Sequence, residues 1–138
     1  MIGRRILAVV VAAGVYFVIG AMWYGHFSEA WLAGIGKTLA ELQSANPGPL
    51  PYVVAFLGVL LECAVLAYLL ARVGDDGWLD GARLGAMLAL GLIGAQLALN
   101  YAFEARSATL WLINAGYALL GLVVAGAIIG AVMPATED

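Results

Sequence analysis

One stretch of the chain reads PYVVAFLGVLLECAVLAYLLA (residues 51–71), in which Glu62 is the only charged side chain. An α-helix rises about 1.5 Å per residue, so this stretch is long enough to cross the roughly 30 Å hydrocarbon core of a bilayer. Lipid offers no hydrogen bonds to a polypeptide backbone, and a helix satisfies its own backbone groups. The stretch therefore predicts a transmembrane helix.

Three further apolar stretches have similar lengths and cover residues 6–22, 84–103 and 110–133. Of the 138 residues in the chain, 64% are hydrophobic and 11% are charged. Soluble domains carry roughly 25% charged residues, and disordered chains need low hydrophobicity. Both classes are therefore excluded. The sequence predicts one all-α integral membrane domain over residues 1–138, with four transmembrane helices.

The segment between the first two spans predicts one or two short helices over residues 28–45, lying in the membrane interface. Ser28 followed by Glu29 suits a helix N-terminus, and residues 38–41 (TLAE) match a capping box. Apolar side chains at positions 31, 35, 39 and 42 would share one helical face. Residues 46–49 (NPGP) end the helix. This segment is either a lid that packs on the bundle or a gate over a site.

The charges bear on partners and orientation. The net charge is −3, from 6 Lys and Arg against 9 Asp and Glu, and no basic stripe points to nucleic acid. The positive-inside rule places the side with more Lys and Arg in the cytoplasm. One side would carry Arg4, Arg5, Arg72 and Arg83, and the other Lys37 and Arg106. We therefore expect a multi-pass protein of the bacterial inner (plasma) membrane with both termini cytoplasmic.

Glu62 lies in the middle of the second predicted span. A charged side chain at this depth is costly in a bilayer, so the helix should turn Glu62 toward the bundle interior. Ala55 and Gly58 lie on the same helical face and would let another helix come close. Two interpretations stay open. Glu62 is either a carboxylate that titrates in transport or ligand binding, or a neutral acid hydrogen-bonded to a neighbouring helix.

A second polar cluster is expected in the outer half of the membrane. Gln96, Asn100 and Glu104 are spaced by four, and Asn114 lies at a depth similar to that of Asn100 on the next helix. The cluster is either an Asn100–Asn114 hydrogen bond between helices or a polar pocket open to the outer side. The candidate ligand- or partner-binding residues are Glu62, Gln96, Asn100, Glu104 and Asn114, with Trp23, Tyr24 and His26 at the rim.

Small residues recur four apart in the third and fourth spans. Gly81 and Gly85 begin the third span, and Gly126 and Gly130 end the fourth. Such pairs let helix backbones approach closely in lipid. They would pack these two spans together or form an oligomer seam.

The sequence contains few of the residue patterns that enzymes use for catalysis. Cys63 and His26 are its only cysteine and histidine, and no phosphate-binding loop or nucleophile–base pair stands out. We therefore expect no catalytic residues, no metal site and no cofactor.

Two groups of motifs are familiar. One is GAMWYG (residues 20–25), followed by Trp31 and by Lys37-Thr38. The other is NYAFEARS (residues 100–107), followed by LINAGY (residues 112–117) and a glycine-rich last span. Together they resemble the small bacterial membrane proteins grouped as domain of unknown function 1761. The resemblance implies four membrane helices and no assigned activity, and it suggests that the outer polar cluster is a shared feature.

Two functional hypotheses follow. The first is a non-enzymatic inner-membrane protein, embedded in the lipid bilayer, that acts by binding. It would bind a partner membrane complex as an accessory subunit, or an apolar ligand or lipid in its outer half. The second is a small proton-coupled exporter that works as a homo-oligomer and uses Glu62.

Overall fold

The computed structural model describes residues 2–74 and 77–133, and all their regular elements are helical. Four helical segments are long and apolar enough to cross a membrane, which confirms the predicted all-α membrane class. The elements are α1 (Ile2–His26), α2 (Ser28–Ile35), α3 (Leu39–Ala45), α4 (Leu50–Val73), α5 (Trp78–Leu88), a π-helical segment (Ala89–Gly94), α6 (Ala95–Phe103) and α7 (Ala108–Val132). The third span is the continuous helix Trp78–Phe103.

Most spans are longer than the sequence predicted. Helix α1 begins at Ile2 instead of residue 6 and ends at His26, and the third span begins at Trp78 instead of residue 84. Hydropathy marks the part of a helix that lies in hydrocarbon, whereas the helix itself continues into the headgroup layer. The terminal turns therefore carry the polar and charged residues that the apolar stretches leave out.

Helix α7 is the centre of the bundle and packs against α1, α4 and α5. Glycines permit the closest of these contacts. A β-carbon at Gly81 would overlap the Gly126 carbonyl, and one at Gly85 would overlap the Leu122 carbonyl. The glycine pairs thus join the third and fourth spans within one chain, the first of the two predicted roles.

The buried core lies toward one end of the bundle. We call the end that carries the 104–107 turn distal, and the opposite end, where α5 begins, proximal. The largest fully buried aliphatic side chains of α4 are Leu66 and Leu70. In the proximal half of α7 they are Leu122 and Ile129. These residues hold the proximal half together.

The distal half is open on one side. In α4, every residue from 50 to 58 except Phe56 is exposed, and in α6 only Leu97 and Tyr101 are half-buried. Helix α4 packs against α5 but does not pack against α6. The distal half of α4 therefore has no extended contact with α6 among the described residues. We call the space between residues 50–58 of α4 and α6 the distal cleft.

Helices α2 and α3 only partly match their prediction. The capping box is present: Thr38 accepts a hydrogen bond from the Glu41 amide, and the Glu41 carboxylate accepts one from the Thr38 amide. Ser28 is not the N-cap, because Phe27 occupies that position and makes no side-chain cap. Gly36 adopts a left-handed conformation (φ 68°) that ends α2. The four apolar positions therefore do not lie on one continuous helix.

Helix α2 packs on the distal end of α7, where Gly34 faces Leu110. Helix α3 has no buried residue. Only α2 therefore matches the predicted lid that packs on the bundle.

Candidate functional site

A line of polar and aromatic side chains runs from the middle of the bundle to its distal end. We call this line the polar ladder. It consists of Glu62, Tyr16, Tyr117, Tyr24, Asn114 and Tyr101. These residues come from α4, α1, α7 and α6, so the ladder exists only in the assembled bundle.

Asn114 is the distal centre of the ladder. Its Oδ1 atom accepts a hydrogen bond from the Tyr24 hydroxyl (2.8 Å), and its Nδ2 atom donates one to the Tyr101 hydroxyl (2.7 Å). Asn114 thereby joins α1 and α6 across α7. The Arg106 guanidinium lies 5.5 Å from the centre of the Tyr101 ring, at the distal end of the ladder.

The predicted Asn100–Asn114 hydrogen bond is wrong. Asn100 instead accepts a hydrogen bond from the Gln96 amide (3.1 Å), and both side chains are exposed on α6. Asn100 and Asn114 share no hydrogen bond. They face different directions, because Tyr101, one position after Asn100, is the residue that α6 turns toward α7.

Three tyrosines form the middle of the ladder. The ring centres of Tyr16 and Tyr117 are 5.1 Å apart, and those of Tyr117 and Tyr24 are 5.2 Å apart. Each inner ring rests on a glycine of a facing helix. Tyr16 covers Gly121, and a β-carbon at Gly20 would come within 2.7 Å of the Tyr117 hydroxyl. The glycines thus leave the space that these phenols occupy.

Glu62 ends the ladder at the middle of the second span. It lies near the centre of α4 (Leu50–Val73), and its side chain approaches Tyr16. The Glu62 Oε2 atom is buried and has no hydrogen-bond partner among the described residues. The structure thus places Glu62 inside the bundle, as predicted from its depth, but leaves one carboxyl oxygen unpaired.

The π-helical segment sets the direction of α6. The indole of Trp111 donates a hydrogen bond to the Gly94 carbonyl (2.9 Å), at the end of this segment. A π-helical turn adds a residue to the helical repeat and rotates everything beyond it, and such turns are frequent at functional sites. Here it precedes the helix that carries Tyr101 to Asn114.

Two predicted site residues join the ladder or brace it. Tyr24 is a member, and the Trp23 indole donates to the Ile113 carbonyl (2.9 Å) while its ring covers Gly116. Trp23 therefore holds α1 against α7 at the position next to Tyr24.

The other predicted residues lie away from the ladder. Glu104 is exposed and pairs with Arg106 in the turn after α6. His26 is exposed at the end of α1, with its ring against Phe27. Gln96 and Asn100 bond to each other on the surface of α6.

Three members of the ladder, Tyr16, Tyr117 and Tyr101, were not among the candidate residues predicted from the sequence. A signal for Tyr16 was present. It is a phenol in the middle of an apolar span, with Ala12 and Gly20 four positions away on either side. A buried tyrosine needs both a hydrogen-bond partner and small neighbours that make room for its ring.

The arrangement suits molecular recognition. Apolar helix faces, aromatic rings and a few fixed polar groups are the usual lining of a ligand site. The hydrogen bonds are interrupted in the middle, because the Tyr117 hydroxyl donates to the Tyr16 backbone carbonyl (3.4 Å) instead of to the next phenol. In the part of the chain that the structure describes, no three His, Cys, Asp or Glu side chains group together as metal ligands would.

The chain matches the model of a known protein family. Residues 7–130 match the family described as "Protein of unknown function (DUF1761)". The chain belongs to this family. Every member of the polar ladder lies within the matched residues. No curated protein and no solved structure matches the chain.

Proposed function

We propose that the protein is a non-enzymatic membrane protein that binds an apolar, lipid-like molecule in the distal cleft. One observation carries the proposal. All residues from 50 to 58 of α4 except Phe56 are exposed, although they lie beside a bundle that carries the polar ladder. A helix that served only to fill the bundle would pack along its whole length. The unpacked half of α4 supports a site for a molecule that is not part of this chain.

The lining supports an amphiphilic ligand. Leu57 and Val54 are exposed apolar side chains in the distal half of α4. Asn114 and Tyr101 are fixed polar groups of the ladder and are held by a hydrogen bond to each other. A lipid of the surrounding bilayer could contact these apolar side chains in any orientation. A ligand whose polar group lies at the level of Asn114 and Tyr101 could also hydrogen-bond to the ladder. This additional contact would make binding selective for such a ligand.

Glycine variants test this proposal without disturbing the fold. A β-carbon at Gly58 would meet no atom within 4 Å, and Gly58 lies one turn from Glu62 on the same face of α4. Gly58→Leu would fill the cleft with its own side chain. Gly14→Leu is the matched control, because Gly14 also has open space around it but lies on α1.

The measurement is native mass spectrometry after purification in a mild detergent. The wild-type protein and Gly14→Leu should retain a bound lipid-like molecule, and Gly58→Leu should lose most of it. Equal retention by all three proteins would contradict binding in the cleft. Co-purification of another protein chain without such a molecule would favour the accessory-subunit hypothesis instead.

A second candidate is a small oligomeric proton-coupled exporter that uses Glu62. The unpaired, buried Oε2 atom at mid-span favours it. The break in hydrogen bonding at Tyr117 counts against it, because ring contacts carry no protons. Transport by vesicles that depends on pH and disappears in Glu62→Gln would support this candidate over simple binding.

A further inference from the structure

We propose that the exposed face of α6 is an interface between two copies of this chain, joined through Gln96 and Asn100. The inference goes beyond the proposed function and does not rest on it, because it concerns contact between chains and not a ligand in the distal cleft. It is carried by two carboxamide side chains that are exposed within an apolar span, and by the hydrogen-bonding groups that they leave unused.

Gln96 and Asn100 lie in the part of the third span that crosses hydrocarbon. The first turns of this span carry the ion pair of Asp80 and Arg83, so its apolar part begins after Arg83. Residues 84–103 cover about 30 Å by helical rise, which matches the hydrocarbon core of a bilayer. By the same rise, Gln96 lies about 10 Å and Asn100 about 5 Å below the distal end of α6.

The bundle covers neither carboxamide. Both side chains are exposed, and the half-buried residues of α6 are Leu97 and Tyr101. Lipid tails offer no hydrogen-bond donor or acceptor, so a polar group that faces them is costly. In membranes, Asn and Gln side chains form hydrogen bonds between helices. The pair therefore marks the face of α6 that meets another helix.

The unused hydrogen-bonding groups complement each other. Gln96 donates from Nε2 to Oδ1 of Asn100 (3.1 Å), which leaves Gln96 Oε1 and Asn100 Nδ2 without a partner among the described residues. The same bond brings both carboxamides to nearly the same depth. Two copies inserted in the same orientation are related by a two-fold axis along the membrane normal, so like residues meet at like depth. Each Asn100 Nδ2 then donates to Gln96 Oε1 of the second copy, which gives two reciprocal hydrogen bonds.

The residues around the pair suit the packing of two like helices. Gln96, Leu99 and Phe103 are spaced by three and four, as are the core positions of a coiled coil. Leu99 is 54% exposed and Phe103 is 90% exposed, the largest exposure of any large hydrophobic side chain in the described part of the chain. A polar side chain at one core position of a coiled coil fixes the register and the number of chains. Gln96 at such a position favours a second copy in register.

The test is disulfide crosslinking of the whole protein in cell membranes and in proteoliposomes. Leu99→Cys places a thiol on the proposed interface. Ala98→Cys is the matched control, because Ala98 is exposed at the same depth but lies about 100° away around the helix. The native Cys63 is buried and gives no background. Oxidation should join two copies of Leu99→Cys and leave Ala98→Cys monomeric.

Replacement of the carboxamides tests their role in the interface. The crosslinked fraction of Leu99→Cys at increasing lipid-to-protein ratios measures the association of the two copies. Adding Gln96→Leu and Asn100→Leu should weaken association about 10-fold, since two interhelical hydrogen bonds are lost. The exchange Gln96→Asn with Asn100→Gln keeps both kinds of hydrogen-bonding group and should retain most of the association.

Thermal unfolding at a high detergent-to-protein ratio, which separates the copies, checks that each variant folds. Within one chain Gln96 and Asn100 bond only to each other, so their replacement should leave the fold intact. Equal crosslinking at positions 98 and 99 would overturn the interface, and so would association that the Leu replacements leave unchanged. Crosslinking of Leu99→Cys to a different protein in cell membranes, with no dimer of this chain, would also overturn it.

Discussion

The phenol ring of Tyr16 lies directly on Gly121 of α7, so that any side chain at position 121 would occupy the same space. This contact sets the position of the whole ladder, because Tyr16 also touches Tyr117 and Glu62. Residues of α4 and α7 therefore meet at Tyr16 of α1, whose ring rests on Gly121. A side chain at position 121 would therefore displace the Tyr16 ring.

Gly121→Ala should destabilise the protein by about 1–3 kcal/mol, because the added methyl group forces the Tyr16 ring out of a packed core. Thermal unfolding in detergent would measure the loss. Gly58→Ala is the control, since a β-carbon there meets open space and alanine is the better helix former. Equal stability of both variants would show that Tyr16 does not rest on Gly121.

The two asparagines should behave differently. Asn114→Leu removes two hydrogen bonds between helices and should cost about 1–2 kcal/mol. Replacing both Gln96 and Asn100 by Leu should change stability by less than about 0.5 kcal/mol, because each bonds only to the other on an exposed face.

A variant that combines Asn114→Leu with the Gln96 and Asn100 replacements tests whether their effects on stability are independent. Asn100 and Asn114 share no hydrogen bond, so the cost of Asn114→Leu should be the same with or without the Gln96 and Asn100 replacements. Thermal unfolding of the combined variant measures this. A combined loss well below the sum would mean that Asn100 and Asn114 bond to each other after all.

The sequence predicted the spans, the capping box at Thr38 and the position of Glu62 near the middle of its span, because hydropathy and capping are local properties. It did not predict the partner of Asn114. That choice depends on the π-helical segment at Ala89–Gly94, which rotates α6 and brings Tyr101 to α7. Helical spacing assumes a constant repeat, so it cannot assign the faces of α6 from those of α5 across this segment.

The capping box of α3 should depend on pH. Hydrogen bonds from the Thr38 amide and hydroxyl lower the pKa of Glu41 below its ordinary value. A lowered pKa means that the cap is fully formed above the ordinary glutamate pKa and is lost as pH falls through the lowered value. Two-dimensional NMR of the Thr38 amide should follow this titration. Thr38→Ala should raise the pKa of Glu41, and an unchanged pKa would contradict the capping role.

The distribution of Lys and Arg predicts that the distal end faces outward and both termini face the cytoplasm. Lys37→Cys should react with a membrane-impermeant maleimide in intact cells, whereas Arg83→Cys, at the proximal end, should react only after the membrane is opened. The native Cys63 is buried and provides a silent background. The reverse labelling pattern would invert the orientation.

The most direct test of binding in the distal cleft is the site at which a diazirine-bearing alkyl probe attaches to the protein in nanodiscs. Binding in the cleft predicts saturable labelling, mapped by peptide mass spectrometry to residues 50–62 of α4 and to the Tyr101 region. It also predicts that Gly58→Leu abolishes the saturable part and that Gly14→Leu keeps it. Labelling that rises linearly with probe concentration and spreads evenly over all four spans would contradict a ligand site in the cleft.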